Sequence, residues 1–233
     1  YIYNPKFIEE QQEIKVQDLI NFGKKIKRIR KDYKKIIESD LSVYNKNKII
    51  SLILYLLDQC RFRIGSEEYK KKYNTYGATT INPTHITFKD NEVEIKFIGK
   101  KSIENTSIIK SSSVKVLLQE LCKRNKGKDF LFYYKDQNDE INNINAVQVS
   151  TYLKKYHKDL MPKMFRTWNG NSILIKYLIS KGVPINEKEI KTHLREAIKK
   201  VAFELHNTVS VSKKSYCNSE IYTTYLDNNE QFF

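Results

Sequence analysis

Side chains of three kinds could together break a phosphodiester bond without a metal, and this sequence contains all three. Fixed cations must meet the negative charge that gathers on the phosphoryl oxygens, and arginine suits this because its planar fork can hold two oxygens. A nucleophile must attack, and a proton must reach the leaving oxygen. Arg63, Arg166, Lys100 and Tyr216 are residues of these types. A protein nucleophile keeps the bond energy in a covalent intermediate, so such a break would be reversible.

Each of these residues alone is a weak signal. The chain has 16 tyrosines and 42 lysines and arginines, and most of them must be ordinary core or surface residues. A stronger signal comes from four short segments that stand in a fixed order and contain the candidate residues. These are FRIGSEEYKKKYNTYGATTI (62–81), IKFIGKK (95–101), PKMFRTW (162–168) and LHNTVSVSKKSY (205–216).

These segments closely resemble the catalytic domain of poxvirus-type and bacterial-type DNA topoisomerases of type IB, over roughly residues 50–225. The family has Arg-x-Gly after a buried helix, a Tyr-Gly-x-Thr-Thr-like strand, a hairpin ending in Phe-x-Gly-Lys, and Lys-x-x-Arg-Thr. The resemblance implies that Arg63 and Arg166 are catalytic arginines, Lys100 is the general acid and Tyr216 is the nucleophile. It also implies cleavage of one DNA strand through a 3′-phosphotyrosyl intermediate, strand rotation and religation, without ATP or metal.

The segment before Tyr216 departs from the family pattern at two positions. Poxvirus enzymes have His nine residues before the nucleophile and bacterial-type relatives have Asn, and this chain has Asn207. His206 replaces the usual Gly, and Val209 replaces the usual Pro. Either His206 or Asn207 could therefore contact the phosphate, and the nine-residue spacing favours Asn207.

The resemblance adds further residues around the reacting groups. Lys163 stands one helical turn before Arg166 and is a candidate for a proton relay. Tyr69 occupies a position where family members often have a DNA-contacting tyrosine. Lys213 and Lys214, just before the nucleophile, are further candidate DNA contacts.

The charge of the chain favours a nucleic-acid partner. Lysine and arginine exceed aspartate and glutamate by 15 charges, and the pI is near 9.5. Such an excess attracts polyanions and predicts binding to duplex DNA through its phosphates. A Lys- and Asn-rich background from an AT-rich genome, such as that of a large DNA virus, could also produce it. The basic run at 24–35 could be a localisation signal, a phosphate-contacting face or a solvated amphipathic helix.

The remaining composition favours an intracellular protein without cofactors. The three cysteines and four histidines are scattered, so we expect neither disulfides nor a metal site. The longest apolar stretch, residues 49–57, is too short to cross a bilayer. The first ten residues do not resemble a signal peptide. We expect a monomer that is located with DNA in a virion or viral factory, a nucleus or a nucleoid.

The elements that must position the candidate residues are mainly helical. Residues 85–88 and 92–98 flank a polar turn and predict a β-hairpin that ends at Lys100, and residues 130–134 predict a buried strand. The fold class is therefore mainly α with a small antiparallel sheet (α+β), and the resemblance implies a fold like the tyrosine recombinase and topoisomerase IB catalytic domain. Apolar spacing predicts helices over 16–38, 47–60, 113–124, 145–157, 167–181, 186–205 and 211–226.

We predict one catalytic domain over residues 1–233, with a hairpin subregion over 62–110 that carries Lys100. The small β domain that precedes it in the family is expected to be absent, because the sequence begins as if within a protein.

Two other functions remain open from the sequence. A tyrosine recombinase or integrase shares the Arg, Lys, Arg and Tyr chemistry, but recombinases usually have His-x-x-Arg where this chain has Lys163-x-x-Arg166. A non-catalytic DNA-binding relative is the second alternative, and the unusual pair His206-Asn207 favours it. A basic RNA-binding protein has little support, because the chain has neither an aromatic RNP motif nor a GxxG loop.

Overall fold

The computed structural model describes residues 5–227, including the side chains of residue 14 and residues 16–227. The chain divides into two compact units, residues 25–163 and residues 1–24 with 164–233. Residues 1–4 and 228–233 of the predicted domain of residues 1–233 lie outside the described residues. The predicted fold class is confirmed, since helices dominate and the strands form two small antiparallel sheets.

The unit of residues 25–163 is built around α2 (Lys46–Gln59), a helix with an apolar face that is almost completely buried. Its elements follow α1 (Pro5–Ile37), whose later part belongs here. They are α2, α3 (Glu67–Tyr73), β1 (Ile86–Phe88), β2 (Val93–Ile98), β3 (Glu104–Ile109), α4 (Ser112–Arg124), β4 (Tyr133–Lys135), β5 (Ile141–Asn143) and α5 (Ala146–Leu153).

A buried polar network joins α1 to α2. Asp58 receives two hydrogen bonds of 2.8 Å from the Arg30 guanidinium and a third of 2.8 Å from the Tyr33 hydroxyl. Burial alone would raise the pKa of Asp58, but the Arg30 guanidinium and the Tyr33 hydroxyl hold it below its ordinary value. Because a buried charge without a partner is costly, this network fixes α1 against the centre of the unit.

The larger sheet has the order β1-β2-β3, with Ile86 opposite Ile95 and Ile98 opposite Glu104. Alternate residues of β2 are buried, as expected for a sheet with one face on the core. The hairpin predicted over 85–98 is confirmed as β1 and β2. The second strand ends at Ile98, just before Gly99 and Lys100, as predicted. Lys100 lies in the turn that leads to β3, a third strand that was not predicted.

Two details around this sheet concern predicted features. Residues 76–80 were expected to form a strand, but they form turns that pair with residues 63 and 64. His85 accepts a hydrogen bond from the Asn82 amide and packs against Tyr76, so it caps and packs the start of the hairpin. Burial, with Lys70 nearby, lowers the pKa of His85 to about 4.

The other described unit is helical. It contains the first part of α1, most of α6 (Lys163–Lys181), α7 (Glu187–Glu204), α8 (Val209–Ser215) and α9 (Ser219–Asp227). Trp168 packs on Gly23, where an added Cβ would lie 2.5 Å from the indole ring. Trp168 therefore has a packing role between α6 and the first part of α1.

One prediction for this unit was wrong. The helix expected over 211–226 is interrupted, because α8 ends before Tyr216 and α9 begins at Ser219. His193 on α7 is 7% exposed, and its Nδ1 lies 2.8 Å from the hydroxyl of Tyr225 on α9. This contact helps to hold α9 on α7.

Candidate active site

The predicted site residues divide between the two units. Arg166, Asn207 and Tyr216 belong to the helical unit and form what we name the tyrosine half of the site. Arg63, Tyr69 and Lys100 belong to the unit of residues 25–163 and form the lysine half.

In the tyrosine half, Tyr216 caps the C-terminus of α8 and has its ring in an apolar cluster. Its side chain is 3% exposed and lies among residues of α6, α7 and α9. The backbone amide of Tyr216 donates to the Ser212 carbonyl at 3.1 Å, which completes the last turn of α8. The candidate nucleophile is therefore a buried side chain with a fixed position at the end of α8.

Arg166 is the polar partner of Tyr216. It lies in the first turn of α6 and is 2% exposed. Its Nε donates to the Tyr216 hydroxyl at 3.3 Å, and its Nη2 donates to the Leu205 carbonyl at 2.7 Å. The guanidinium carbon also lies 5.0 Å from the centre of the Tyr216 ring. A cation at this place favours negative charge on the phenolic oxygen, which is what an attacking tyrosine needs.

Asn171 positions the backbone of Tyr216, and our sequence analysis did not find it. Its side chain is 4% exposed and donates to the carbonyls of Thr167 at 2.9 Å and Tyr216 at 3.0 Å. Its Oδ1 accepts from the Asn218 amide at 2.7 Å. One amide thus fixes both ends of the break between α8 and α9. The available signal was a polar residue five positions after Arg166, on the buried side of an amphipathic helix.

A short turn at His206 and Asn207 joins α7 to α8. His206 has a φ of 49°, in the left-handed region, and the Asn207 amide donates to the Ala202 carbonyl at 2.9 Å. This conformation explains why the family usually has glycine at the first position, because glycine has no Cβ to clash there. Both side chains are half-buried. The assignment of Asn207 as the phosphate contact stays a prediction.

The lysines next to these elements are exposed. Lys213 and Lys214 lie in the last turn of α8, and Lys163 is the first residue of α6. Cations at a helix C-terminus complement the helix dipole, so Lys213 and Lys214 also have a structural explanation. Their predicted roles in DNA contact and proton relay stay predictions.

In the lysine half, the backbone around Arg63 is fixed by a close crossing of two segments. The Arg63 carbonyl accepts from the Ala78 amide at 2.7 Å, and the Ile64 carbonyl accepts from the Thr79 amide at 2.8 Å. Gly77 faces Gly65 so closely that an added Cβ would lie 2.6 Å from the Gly65 backbone. This crossing requires both glycines of the Arg-x-Gly and Tyr-Gly segments, and it places a half-buried Arg63 on a rigid base.

Lys100 is exposed on a turn that is itself well supported. The Gly99 amide donates to the Ile103 carbonyl at 2.8 Å, and the Asn105 side chain donates to the same oxygen at 2.9 Å. A Cβ on Gly99 would lie 2.4 Å from the Asn105 Nδ2, so a larger residue here would displace the Asn105 side chain from its hydrogen bond. The Lys100 ammonium therefore stands at the end of a flexible side chain on a firm backbone.

The structure brings Lys100 and Tyr69 together. The Lys100 Nζ lies 5.7 Å from the centre of the Tyr69 ring, within the range of a cation–π contact. Tyr69 lies on α3 and is 46% exposed, with Tyr73 beside it at 5.7 Å between ring centres. The predicted role of Tyr69 in DNA contact stays a prediction.

Residues 5–227 contain no group of three or more His, Cys, Asp or Glu side chains that could hold a metal ion. Within the same residues, no helix is both long and apolar enough to span a bilayer.

Comparison with known proteins identifies similar chains. The family model for the eukaryotic DNA topoisomerase I catalytic core matches residues 4–231. DNA topoisomerase 1B of Acanthamoeba polyphaga mimivirus is 29% identical over 245 residues, which cover 100% of this chain and 70% of the relative. DNA topoisomerase 1 of Candidozyma auris is 29% identical, covering 81% of this chain and 24% of the relative.

A second viral relative is more distant. DNA topoisomerase 1B of vaccinia virus (strain Copenhagen) is 26% identical over 187 residues, covering 76% of this chain and 54% of the relative. The chain thus spans between about a quarter and 70% of the length of these three relatives. The predicted resemblance to the poxvirus-type enzymes is confirmed by the viral relatives.

Proposed function

The chain belongs to the type IB DNA topoisomerase family, and from that premise we propose that it relaxes supercoiled duplex DNA by cutting and rejoining one strand through Tyr216. The observation that carries this proposal is the contact between the Arg166 guanidinium and the Tyr216 hydroxyl, at 3.3 Å. It pairs the two residues that the chemistry requires, from segments 50 residues apart.

In the proposed first step, the Tyr216 oxygen attacks the scissile phosphorus in line with the leaving 5′ oxygen. The new bond is a 3′-phosphotyrosyl ester, and the bond that breaks is the one from phosphorus to the 5′ oxygen. Arg166 favours the phenolate while the hydroxyl proton leaves to solvent or a basic neighbour. The number of phosphate ester bonds is unchanged, so the step is close to reversible and needs no ATP.

Arg63, Arg166 and Asn207 are proposed to bind the non-bridging oxygens. Negative charge gathers on these oxygens in the transition state, and preorganised donors stabilise it most when they are already fixed. The crossing of Gly65 and Gly77 fixes the Arg63 backbone, and hydrogen bonds to the Tyr216 hydroxyl and the Leu205 carbonyl hold Arg166. A guanidinium group has five N–H donors, so Arg166 is proposed to donate to both the Tyr216 hydroxyl and the phosphate. Asn207 contributes a neutral dipole.

Lys100 is proposed to protonate the leaving 5′ oxygen, with Lys163 as a relay. Its exposed ammonium on the turn between β2 and β3 can move through rotamers while the turn stays in place. During religation the same amine would take the proton back from the 5′-hydroxyl, as microscopic reversibility requires.

Between cleavage and religation, the free strand end would rotate about the intact strand and release torsion. The proposed partner is duplex DNA, bound by a monomer within a DNA-containing compartment of the cell or virion. None of these steps requires a metal ion, because arginine and lysine provide the charge and the proton.

The rival function is site-specific recombination. The Lys163-x-x-Arg166 spacing and the match to a topoisomerase I family model favour relaxation over recombination. A monomer that relaxes plasmid DNA without a partner site would separate the two.

The test is relaxation of supercoiled plasmid in EDTA without ATP, with SDS to trap covalent protein–DNA. We expect relaxation and an adduct that disappears in Tyr216→Phe. Tight DNA binding without relaxation or adduct would instead favour the non-catalytic alternative.

A further inference from the structure

We propose that α1 presents a second contact surface for duplex DNA, which we name the cation face: Lys27, Arg28, Lys31, Lys34 and Lys35. The inference rests on the proposed function in taking duplex DNA as the partner. It goes beyond that function because none of these residues belongs to either half of the candidate site. The basic run at 24–35 thereby obtains a role that the cleavage chemistry does not give it.

The cation face lies opposite the side of α1 that packs on the core. Ile26, Ile29 and Tyr33 are at most 2% exposed, whereas all five cations are exposed. At 100° per residue the five side chains fall within about a third of the helix circumference, and they extend for about 12 Å along its axis. This length is enough to reach two or three successive phosphates of one strand of B-DNA.

The charge on this face is largely uncompensated. Two carboxylates lie near this face. Asp32 lies to one side, 3.8 Å from the Arg28 Nε, and Glu38 follows the helix, with its backbone amide bonded to the Lys34 carbonyl at 3.0 Å. In the part of the chain that the structure describes, no ion pair involves Lys27, Lys31, Lys34 or Lys35. Like charges three and four residues apart destabilise a helix, so this arrangement has a cost in the free protein.

Another helix of the same chain shows that such clustering is not general. On α7, Lys191 pairs with Glu187 at 3.1 Å and Lys200 pairs with Glu204 at 2.9 Å, both four residues apart. On α7, two of the exposed lysines are thus compensated within their own helix, whereas none of the four lysines of the cation face has an ion-pair partner among the described residues. The cation face therefore calls for an external anion.

The neighbouring segment of residues 152–158 extends the surface with aromatic side chains. The Lys155 Nζ lies 3.3 Å from the centre of the Tyr152 ring, and the Arg28 guanidinium lies 5.8 Å from that of Tyr156. Lys154, Lys155 and Lys158 are exposed as well. Exposed ammonium groups of this kind are typical of contacts to phosphate.

The chemistry favours DNA over an anionic membrane. A helix that binds a lipid surface inserts its apolar side, and the apolar side of α1 is buried in the protein core. A row of ammonium groups on a rigid helix matches instead the regular, closely spaced charges of a duplex.

The experiment compares two variants that lose the same charge. In the first, Lys27, Lys31, Lys34 and Lys35 are replaced by Gln, and in the control Lys188, Lys191, Lys199 and Lys200 of α7 are replaced by Gln. Both sets are exposed, and Gln keeps helix propensity, so both proteins should fold, which their melting curves will verify. Binding to a linear duplex is measured from low to high salt in a Tyr216→Phe background, and single-turnover cleavage is measured without that change.

We expect the first variant to bind at least 10-fold more weakly at low salt and to lower the salt slope by about 2 to 4, since each phosphate contact contributes about 0.9. The α7 control should change the slope by less than half as much. Cleavage at saturating DNA should stay within about threefold for both, because neither set belongs to the site.

Equal losses in the two variants would overturn the proposal, because net charge would then explain them. An unchanged slope in the first variant, with normal binding and cleavage by the unsubstituted protein, would overturn it while leaving the proposed function intact. Loss of binding to phosphatidylserine-containing vesicles without loss of DNA binding would assign the face to a membrane instead. Failure of the unsubstituted protein to bind duplex DNA would overturn both proposals.

Discussion

The two halves of the candidate site differ in how far their groups are already engaged. In the tyrosine half, Tyr216 and Arg166 are 3% and 2% exposed and are hydrogen-bonded to each other. In the lysine half, Lys100 is exposed on a turn, and its contact is with the face of a ring that is itself 46% exposed. The difference suits the proposed chemistry. The nucleophile Tyr216 and the phosphate-binding Arg166 need a fixed geometry, whereas the proton donor Lys100 must be able to move to the leaving oxygen.

The strongest test of this comparison removes the nucleophilic oxygen alone. Tyr216→Phe keeps the ring in its apolar cluster, so the fold should persist while covalent adduct formation falls by more than about 10⁴-fold. The measurement is SDS-trapped adduct on a labelled duplex, with DNA binding as the control. An adduct formed by this variant would show that another residue is the nucleophile.

In the lysine half, Lys100→Ala should slow cleavage by about 10²- to 10⁴-fold, as for loss of a general acid. A duplex with a sulfur in place of the leaving 5′ oxygen should restore most of the rate, because a thiolate leaves without protonation. Lys101→Asn is the matched control, since Asn tolerates the left-handed conformation of that position. Slow cleavage of the sulfur substrate by Lys100→Ala would contradict the role of proton donor.

In the tyrosine half, Arg166→Ala should lower the cleavage rate by about 10²- to 10³-fold, because a preorganised donor to the developing charge is lost. The sulfur substrate should not restore this rate, which separates the clamp from the acid. Arg195→Ala, at an exposed position of α7, provides the control. Rescue of Arg166→Ala by sulfur would remove the distinction between the two halves.

The backbone anchor of the tyrosine half can be tested with a pair of buried amides. Asn171→Ala loses hydrogen bonds to the chain on both sides of Tyr216, so we expect about 10-fold slower cleavage and a loss of about 1–3 kcal/mol in the free energy of unfolding. Asn125→Ala, in the other unit, loses a buried bond of 2.8 Å to the Leu131 carbonyl. It should lose similar stability and keep its cleavage rate, and equal slowing in both would reduce Asn171 to a structural residue.

The smallest effect is expected at His206. His206→Gly relieves a left-handed backbone, so the melting temperature should rise by a few degrees, while cleavage should change by less than about threefold if Asn207 contacts the phosphate. Asn207→Ala should then cost more than His206→Gly in single-turnover cleavage. The reverse order would transfer the phosphate contact to His206.

The sequence predicted the elements whose causes are local. The bounds of α2 and α7 differ from the predicted ones by one residue at each end, and α4 differs only at its start. These helices were predicted well because apolar periodicity and Asn or Ser caps define them. β3 was missed because its sequence, ENTSII, has mostly polar residues and no clear alternation. Its pairing with β2 decides its conformation.

The features that sequence patterns could not provide depend on distant contacts. The residues around Tyr216 contain neither Gly nor Pro, and apolar spacing continues from Val211 to Tyr225, so one long helix was predicted. The break is held from α6 by Asn171, which no local pattern can reveal. In the same way, residues 76–80 have the composition of a strand, but Gly77 packs against Gly65 and turns the chain. The motif residues themselves were found from their order along the chain.

The Asn171 side chain, which holds the backbone at Tyr216 and Asn218, would also carry mechanical load during strand rotation. If Tyr216 carries a DNA end, the torque and tension of the turning duplex pass into the protein through the backbone of that residue. The hydrogen bonds of Asn171 would then be the first contacts within the protein to carry this load into the rest of α6 and into α9. A rigid backbone at Tyr216 would confine rotation to the bonds of the DNA. Asn171 would therefore influence how many supercoils are removed before the strand is religated.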